Sequence, residues 1–140
     1  TMWYYNGQPF TDDMIQSAVG FVYEITDLTT NRKYIGKKLF TKSKTYQKNK
    51  KKKRMRVGSD WMSYYGSNKE LQEQVSKLGA ESFNRNILRI CYSKSELSYY
   101  ETKEIFMRDA LLKSEYYNSW VSVRINANTL INNREKHLDK

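Results

Sequence analysis

The stretch Gly20-Phe21-Val22-Tyr23-Glu24-Ile25, a polar bend and then Lys33-Tyr34-Ile35-Gly36-Lys37-Lys38 constrain this chain more than any other segment. Two short runs rich in Val, Ile, Phe and Tyr flank Thr26-Asp27-Leu28-Thr29-Thr30-Asn31-Arg32, which holds the turn formers. That is the pattern of a β-hairpin with a longer loop. Side chains alternate along a strand, so Tyr23 shares a face with Phe21 and Ile25. Tyr34 shares one with Gly36 and, if the strand continues, Lys38. Gly36 has no side chain, so the surface there is expected to lie open to another backbone. Two phenols and one or two lysines around a bare glycine suit a phosphodiester. The pattern is met equally by a hairpin whose tyrosines are core residues or cross-strand pairs.

Charge narrows the partners. Lys and Arg number 25 against 15 Asp and Glu, a formal net charge of +10 over 140 residues. This is one domain's length, and the balance calls for a polyanionic partner, most often nucleic acid. A single cysteine, Cys91, excludes a disulfide framework and a cysteine-rich zinc site. His137 alone cannot build a histidine metal cluster. No apolar run is long enough to span a membrane and no signal peptide opens the sequence, so a reducing, cytoplasmic setting is expected.

The basic residues are clustered. Lys37, Lys38, Lys42, Lys44 and Lys48 lead into Lys50-Lys51-Lys52-Lys53-Arg54 and Arg56. Periodic apolar residues are missing, so residues from about 41 to 58 are expected to be a mobile basic insertion. Lys37, Lys44, Lys50, Lys51, Lys52, Lys53, Arg54 and Arg56 are the candidate phosphate contacts, acting by counterion release. A merely solvated lysine run also fits. Ahead of the hairpin, residues 1–19 form an aromatic arm with a turn at Asn6-Gly7, expected to cover the core or stack on nucleic acid.

Past the insertion, Ser67-Asn68-Lys69-Glu70 fits a capping box opening a helix with Leu71, Val75 and Leu78 on one stripe, closed by Gly79. Residues 83–92 read as a third strand, with Ile87, Arg89 and Cys91 on one face and Leu88, Ile90 and Tyr92 on the other. A second box, Ser93-Lys94-Ser95-Glu96, opens the longest predicted helix, reaching about Lys113. Leu97, Ile105 and Leu112 form its stripe, edged by Tyr100 and Leu111. Glu101 falls four residues after Leu97 and four before Ile105, inside that stripe. A carboxylate there is costly unless it is paired or binds a cation. Glu104 and Arg108 can satisfy each other at i, i+4, whereas Glu101 has no such neighbour. A helix rotated to expose Glu101 is the alternative. Residues 126–140 read as a polar tail that frays or lies on the surface.

Phe21-Val22-Tyr23 followed by Tyr34-Ile35-Gly36 resembles the paired signature of the GIY-YIG nuclease family. The first triplet departs at two of three positions and the second matches in full. The resemblance runs on through Tyr64-Tyr65-Gly66-Ser67, Lys77-Leu78-Gly79, Glu81-Ser82-Phe83, Ile87-Leu88, Ser95-Glu96-Leu97, Glu101 and Tyr117-Asn118, in the order of phage-type members. It implies an α+β fold, a small three-stranded antiparallel sheet flanked by helices over residues 20–125. It implies a DNA endonuclease, of the freestanding phage homing type, working in host cytoplasm. Tyr23 and Tyr34 match the signature tyrosines, Glu101 the ligand of Mg²⁺ or another divalent cation such as Mn²⁺, and Asn118 the family asparagine. The family arginine after the second triplet has no counterpart before Arg54 and Arg56; Lys38, Lys44, Arg54 and Arg56 are the candidates. A hard cation held by one carboxylate, waters and substrate phosphate suits this chemistry. A phenol, with its pKa near 10, needs a cation such as Lys37 or Lys38 to serve as base. The implied partner is DNA, with no membrane and no obligate protein partner; a homodimer is compatible. The alternative is a non-catalytic basic nucleic-acid-binding module, which leaves Glu101 unexplained.

Overall fold

A computed structural model describes residues 1–136. The strands are β1 (Trp3–Tyr5), β2 (Gln8–Pro9), β3 (Gly20–Asp27), β4 (Lys33–Leu39), β5 (Thr41–Lys48), β6 (Lys51–Gly58) and β7 (Phe83–Cys91). The helices are α1 (Lys69–Leu78), α2 (Lys94–Met107) and α3 (Ala127–Lys136). Five strands make one sheet in the order β2-β1-β7-β3-β4, and β5 pairs with β6 apart from it. No helix is long and apolar enough to cross a membrane among the described residues.

The expected three antiparallel strands are present as β7-β3-β4 at one side of a larger, mixed sheet, with β4 at its edge. What enlarges it is the aromatic arm, where β1 runs parallel to β7 and pairs Trp3 with Arg85. A three-residue strand is too short to show a period, which is why the arm reads as loop. Asn6 and Gly7, both at positive φ, turn the chain back into β2. Trp3 is fully buried against Phe21 and Tyr23, and its indole N–H donates to the Trp61 carbonyl at 2.7 Å.

The sheet separates two cores. Phe21, Tyr23 and Ile25 join Trp3, Phe10, Phe40, Trp61 and Leu71 on one side. Val22, Ile35 and Cys91 meet Leu97 and Ile105 of α2 on the other. Tyr23, Ile25, Tyr34 and Gly36 share a face as the alternation predicts. In β7 the alternation fails, because a bulge opposite Val22 and Tyr23 inserts an extra residue. Ile87 and Ile90 therefore face the aromatic core, while Leu88 and Cys91 face α2.

Residues 41–58 are ordered as a ribbon, not a mobile loop. Asn49 and Lys50 both adopt left-handed φ, the geometry of a two-residue hairpin turn with the right twist. Full cross-strand pairing from Thr41↔Gly58 to Lys48↔Lys51 satisfies the main chain without burying either face. At its base the Arg56 guanidinium donates to the Thr41 carbonyl at 2.8 Å, and Ser59 donates to Leu39 and Phe40 carbonyls. Both faces are polar, so the one-sided pattern that reveals a strand is absent from the sequence.

Two helix boundaries also differ, and one helix is unexpected. Asn68, not Ser67, caps α1 by accepting from the Leu71 N–H at 2.9 Å. Ser93 caps α2 as expected, but α2 stops at Met107, because Asp109 turns left-handed, and Leu112 is 85% exposed. The polar tail contains α3, which lies against α2; residues 137–140, with His137, fall outside the described residues.

The surface at Gly36 is not open. Tyr23 sits directly across from it, and its ring lies over the glycine. A Cβ at residue 36 would stand 2.5 Å from Tyr23 Cζ and collide with its hydroxyl. Gly36→Ala is therefore expected to destabilise the fold by about 3 kcal/mol, the upper range for overpacking. Urea unfolding checks this, and a variant as stable as the parent would refute the packing described here.

Candidate active site

β4 is an edge strand, and a cleft of about 240 Å³ opens beside it. Tyr34 and Lys37 from β4, Ser67 and Asn68 before α1, Glu101 from α2 and the segment Asn118–Ser122 line it. Tyr34 approaches from the aromatic side of the sheet and Glu101 from the α2 side, so the cleft wraps around the strand edge. Trp120, 73% exposed, stands on its rim.

The two signature tyrosines are not equivalent. Tyr23 is fully buried, its ring 6.1 Å from Tyr64 and 6.2 Å from Tyr34. Burial pushes its phenol well above the usual value near 10, and the neighbouring Tyr64 adds to this. Tyr34 reaches the cleft, and its hydroxyl lies 3.0 Å from Ser67 Oγ. Burial raises its pKa too, against a lowering by the Ser67 hydrogen bond. Both phenols are therefore neutral at physiological pH. Ser67, read from sequence as a helix cap, is freed for Tyr34 because Asn68 takes the cap.

Glu101 lies between Leu97 and Ile105 as its spacing requires, and its side chain is only 16% exposed. Burial raises its carboxyl above the normal range, opposed by Lys37. That lysine is a loose partner: its Nζ stands 3.9 Å from Glu101 and donates to Ser98 Oγ at 3.1 Å. A desolvated carboxylate so poorly met fits a divalent cation. Among the described residues no group of three or more His, Cys, Asp or Glu is placed to hold a metal. Glu101 would be the protein's carboxylate ligand, with waters and substrate oxygens completing the shell.

Asn118 is brought to the cleft but faces the strand. Its Oδ1 accepts from the Ile35 N–H at 3.0 Å, and its Nδ2 donates to the Ile35 carbonyl at 2.8 Å. Each end of the amide makes one of these bonds, so Asn118 fixes β4 at the cleft wall. Just before it, Tyr117 N–H donates to the Lys33 carbonyl and its hydroxyl to Asp27 at 2.8 Å. Burial pushes the Asp27 carboxyl up, but hydrogen bonds from Thr29 and Tyr117 outweigh it and hold the pKa low.

The remaining candidates lie apart from the cleft lining. Lys38 pairs with Asp60 at 2.7 Å, holding that carboxyl low, and sits 4.0 Å over the Tyr64 ring. Arg56 is committed to Thr41. Lys44, Lys51, Lys52, Lys53 and Arg54 project from the ribbon, and Lys50 occupies its turn. Lys37 is the basic residue that lines the cleft. Ser98 carries no signal of its own in sequence, and Ser67 reads only as a helix cap and, with Tyr64, as part of the family resemblance; their contacts with β4 appear only in the fold.

Residues 3–121 match the family profile described as "Putative endonuclease segE, GIY-YIG domain". The chain is also 33% identical over 100 residues to the protein of Enterobacteria phage T4 described as "Putative endonuclease segE". That alignment covers 70% of this chain and 39% of the relative, so the chain spans well under half of that protein. No solved structure matches.

Burial of Glu101 has a thermodynamic consequence. Its folded pKa is raised, so the native state holds the proton more tightly than the unfolded chain. Stability is then lost as pH rises from the unfolded glutamate value, near 4.3, through the folded one. Glu101→Gln removes that loss. The variant should be more stable than the parent at pH 7 in low salt without metal, with the gain gone at pH 4. Urea unfolding at both pH values checks the sign; a variant less stable at pH 7 would show that Lys37 outweighs desolvation.

Proposed function

The chain belongs to the GIY-YIG endonuclease family, and from that premise we propose that it hydrolyses phosphodiester bonds of DNA with a divalent cation, Mg²⁺ or Mn²⁺, held at Glu101. The observation that carries this reading is the meeting of Tyr34 and the poorly paired Glu101 across one strand edge, in a cleft that also holds Lys37. A cation bound there supplies charge relief to the phosphoryl oxygens and the leaving alkoxide. Everything else falls to the chain's own groups. The Tyr34 hydroxyl, held by Ser67 and protonated, orients the attacking water by accepting a hydrogen bond from it, and the proton the water loses on attack passes to a phosphoryl oxygen of the substrate or to bulk water. Lys37 neutralises a phosphate oxygen in the place of the family arginine. Tyr23 buttresses Tyr34 and Tyr64 from the core, and Lys38 braces Tyr64. Asn118 fastens the edge of β4 to the segment that follows Tyr117. The biological setting we propose is a phage homing-type nuclease acting in host cytoplasm.

Plasmid nicking in Mg²⁺ and in EDTA tests the reading. Cleavage is expected with the metal and not with the chelator. Glu101→Gln should bind DNA and not cut, because the amide is isosteric but a far weaker ligand. Tyr34→Phe should lose about 100-fold or more in rate while melting normally. Full activity in purified Glu101→Gln, or cleavage unchanged by EDTA, overturns the metal assignment. Absence of cleavage by the parent under every divalent cation tried leaves the non-catalytic binding module in its place.

A further inference from the structure

The register of the β5–β6 ribbon divides it into two chemically different faces. Directly paired residues share a face. One face carries Ser43 with Arg56, Thr45 with Arg54, and Gln47 with Lys52. The other carries Lys42 with Val57, Lys44 with Met55, Tyr46 with Lys53, and Lys48 with Lys51. From Lys42 to Arg56 every side chain is exposed. Ribbon residues that do bond within the protein, Arg56 and Thr41, sit at its base.

We propose that this ribbon enters the major groove of the DNA substrate and reads base pairs with Gln47, Thr45, Ser43 and Arg54, while the lysines of the opposite face hold the phosphates along the groove's lips. The inference rests on the nuclease reading for its substrate and adds to it where sequence preference resides. Three observations favour duplex DNA as the occupant. The ribbon is strongly cationic, so a polyanion complements it. Its cross-section fits: B-DNA's major groove, about 12 Å wide, admits a two-stranded β-ribbon. And its two faces match the two tasks. The guanidinium fork of Arg54 and the amide of Gln47 are planar bidentate groups suited to guanine and adenine edges, with hydroxyls that accept either base. Lysines are flexible point charges, suited to phosphate and poor at discrimination. A ribbon built only to attract DNA has no use for the first set.

Position supports this. The ribbon continues β4, whose Lys37 lines the cleft. The path from Lys37 to Thr45 spans at most about 26 Å of strand. At about 3.4 Å per base step the reading face lies within one turn of the bond being cut.

The test is a binding selection on a pool of randomised duplexes in EDTA, so that it does not depend on cleavage. Wild-type protein should enrich a short run of preferred base pairs. The double variant Gln47→Ala/Arg54→Lys keeps the charge and removes both planar groups. It should lose roughly 5- to 100-fold of discrimination at those positions, with the slope of log affinity against log salt unchanged. The triple variant Lys48→Ser/Lys51→Ser/Lys53→Ser should keep the preferred pairs and bind every duplex more weakly. Its salt slope should be shallower by up to about 0.9 for each phosphate no longer neutralised. The proposal is overturned if wild-type protein enriches nothing, if the double variant enriches the same pairs as the parent, or if either variant melts far below it. Enrichment by a protein that never nicks DNA would remove the nuclease reading and leave the ribbon assignment standing; nicking without enrichment would do the reverse.

Discussion

The double hydrogen bond between the Asn118 side chain and the Ile35 main chain is the constraint on which the functional region depends. An edge strand presents a row of unpaired N–H and C=O groups. Along β4 that row is covered first by main chain, where Glu115 and Tyr117 pair with Lys33. Asn118 then takes both groups of Ile35, as a neighbouring strand residue would. Removing that amide leaves a buried donor unmet, at a cost of about 1–3 kcal/mol. The cleft begins where this cover gives way, and Tyr34 and Lys37 stand on either side of that point.

How the carboxylates are satisfied separates structure from chemistry. Glu24 also lies on the α2 side of the sheet, yet it pairs closely with Arg108 and has Lys33 at 3.8 Å. Arg108 serves Glu104 as well, at 2.9 Å. Those three charges form a closed set that ties α2 to β3. Glu101, one turn earlier on the same helix, is left with a single lysine at the limit of ion-pair distance, itself bonded to Ser98. Two glutamates on one helix thus have opposite electrostatic surroundings, because Arg108 lies four residues after Glu104 and pairs with it, whereas Glu101 has only Lys37 of β4.

Much of this is legible in the sequence. The hairpin is visible because its strands combine β-branched and aromatic runs with a turn-rich bend. Glu101 is visible because it interrupts an apolar stripe, a conflict between period and polarity that needs no tertiary information. What escapes depends on pairing between distant segments. Trp3 and Tyr5 become a strand only because β7 offers them an edge. Arg85 reads as an ordinary strand cation until β1 and the Met62–Tyr64 turn close over it. The β7 bulge moves Ile87 and Cys91 to opposite faces, and no local residue pattern announces it. Gly36 reads as empty space because a sequence shows what a residue lacks, not what its neighbour places there. The ribbon escapes for a different reason: its strands are stabilised by each other and by their turn, so neither carries the buried face that periodicity detects.

Arg85 makes one part of the fold insensitive to ionic strength. It is 2% exposed and has no carboxylate among its hydrogen-bond partners. Its guanidinium donates to the carbonyls of Thr1, Met62 and Tyr64 and lies between the rings of Trp3 and Tyr65. A cation held by dipoles and π faces inside the protein is beyond the reach of mobile ions. The contacts that fasten the N-terminal strand and the Tyr64 turn to the sheet are therefore indifferent to salt, whereas lysine contacts to a polyanion are not. Raising the ionic strength should therefore leave the seam between β1, β7 and the Tyr64 turn closed, so a salt titration of the proposed DNA binding does not loosen that part of the scaffold.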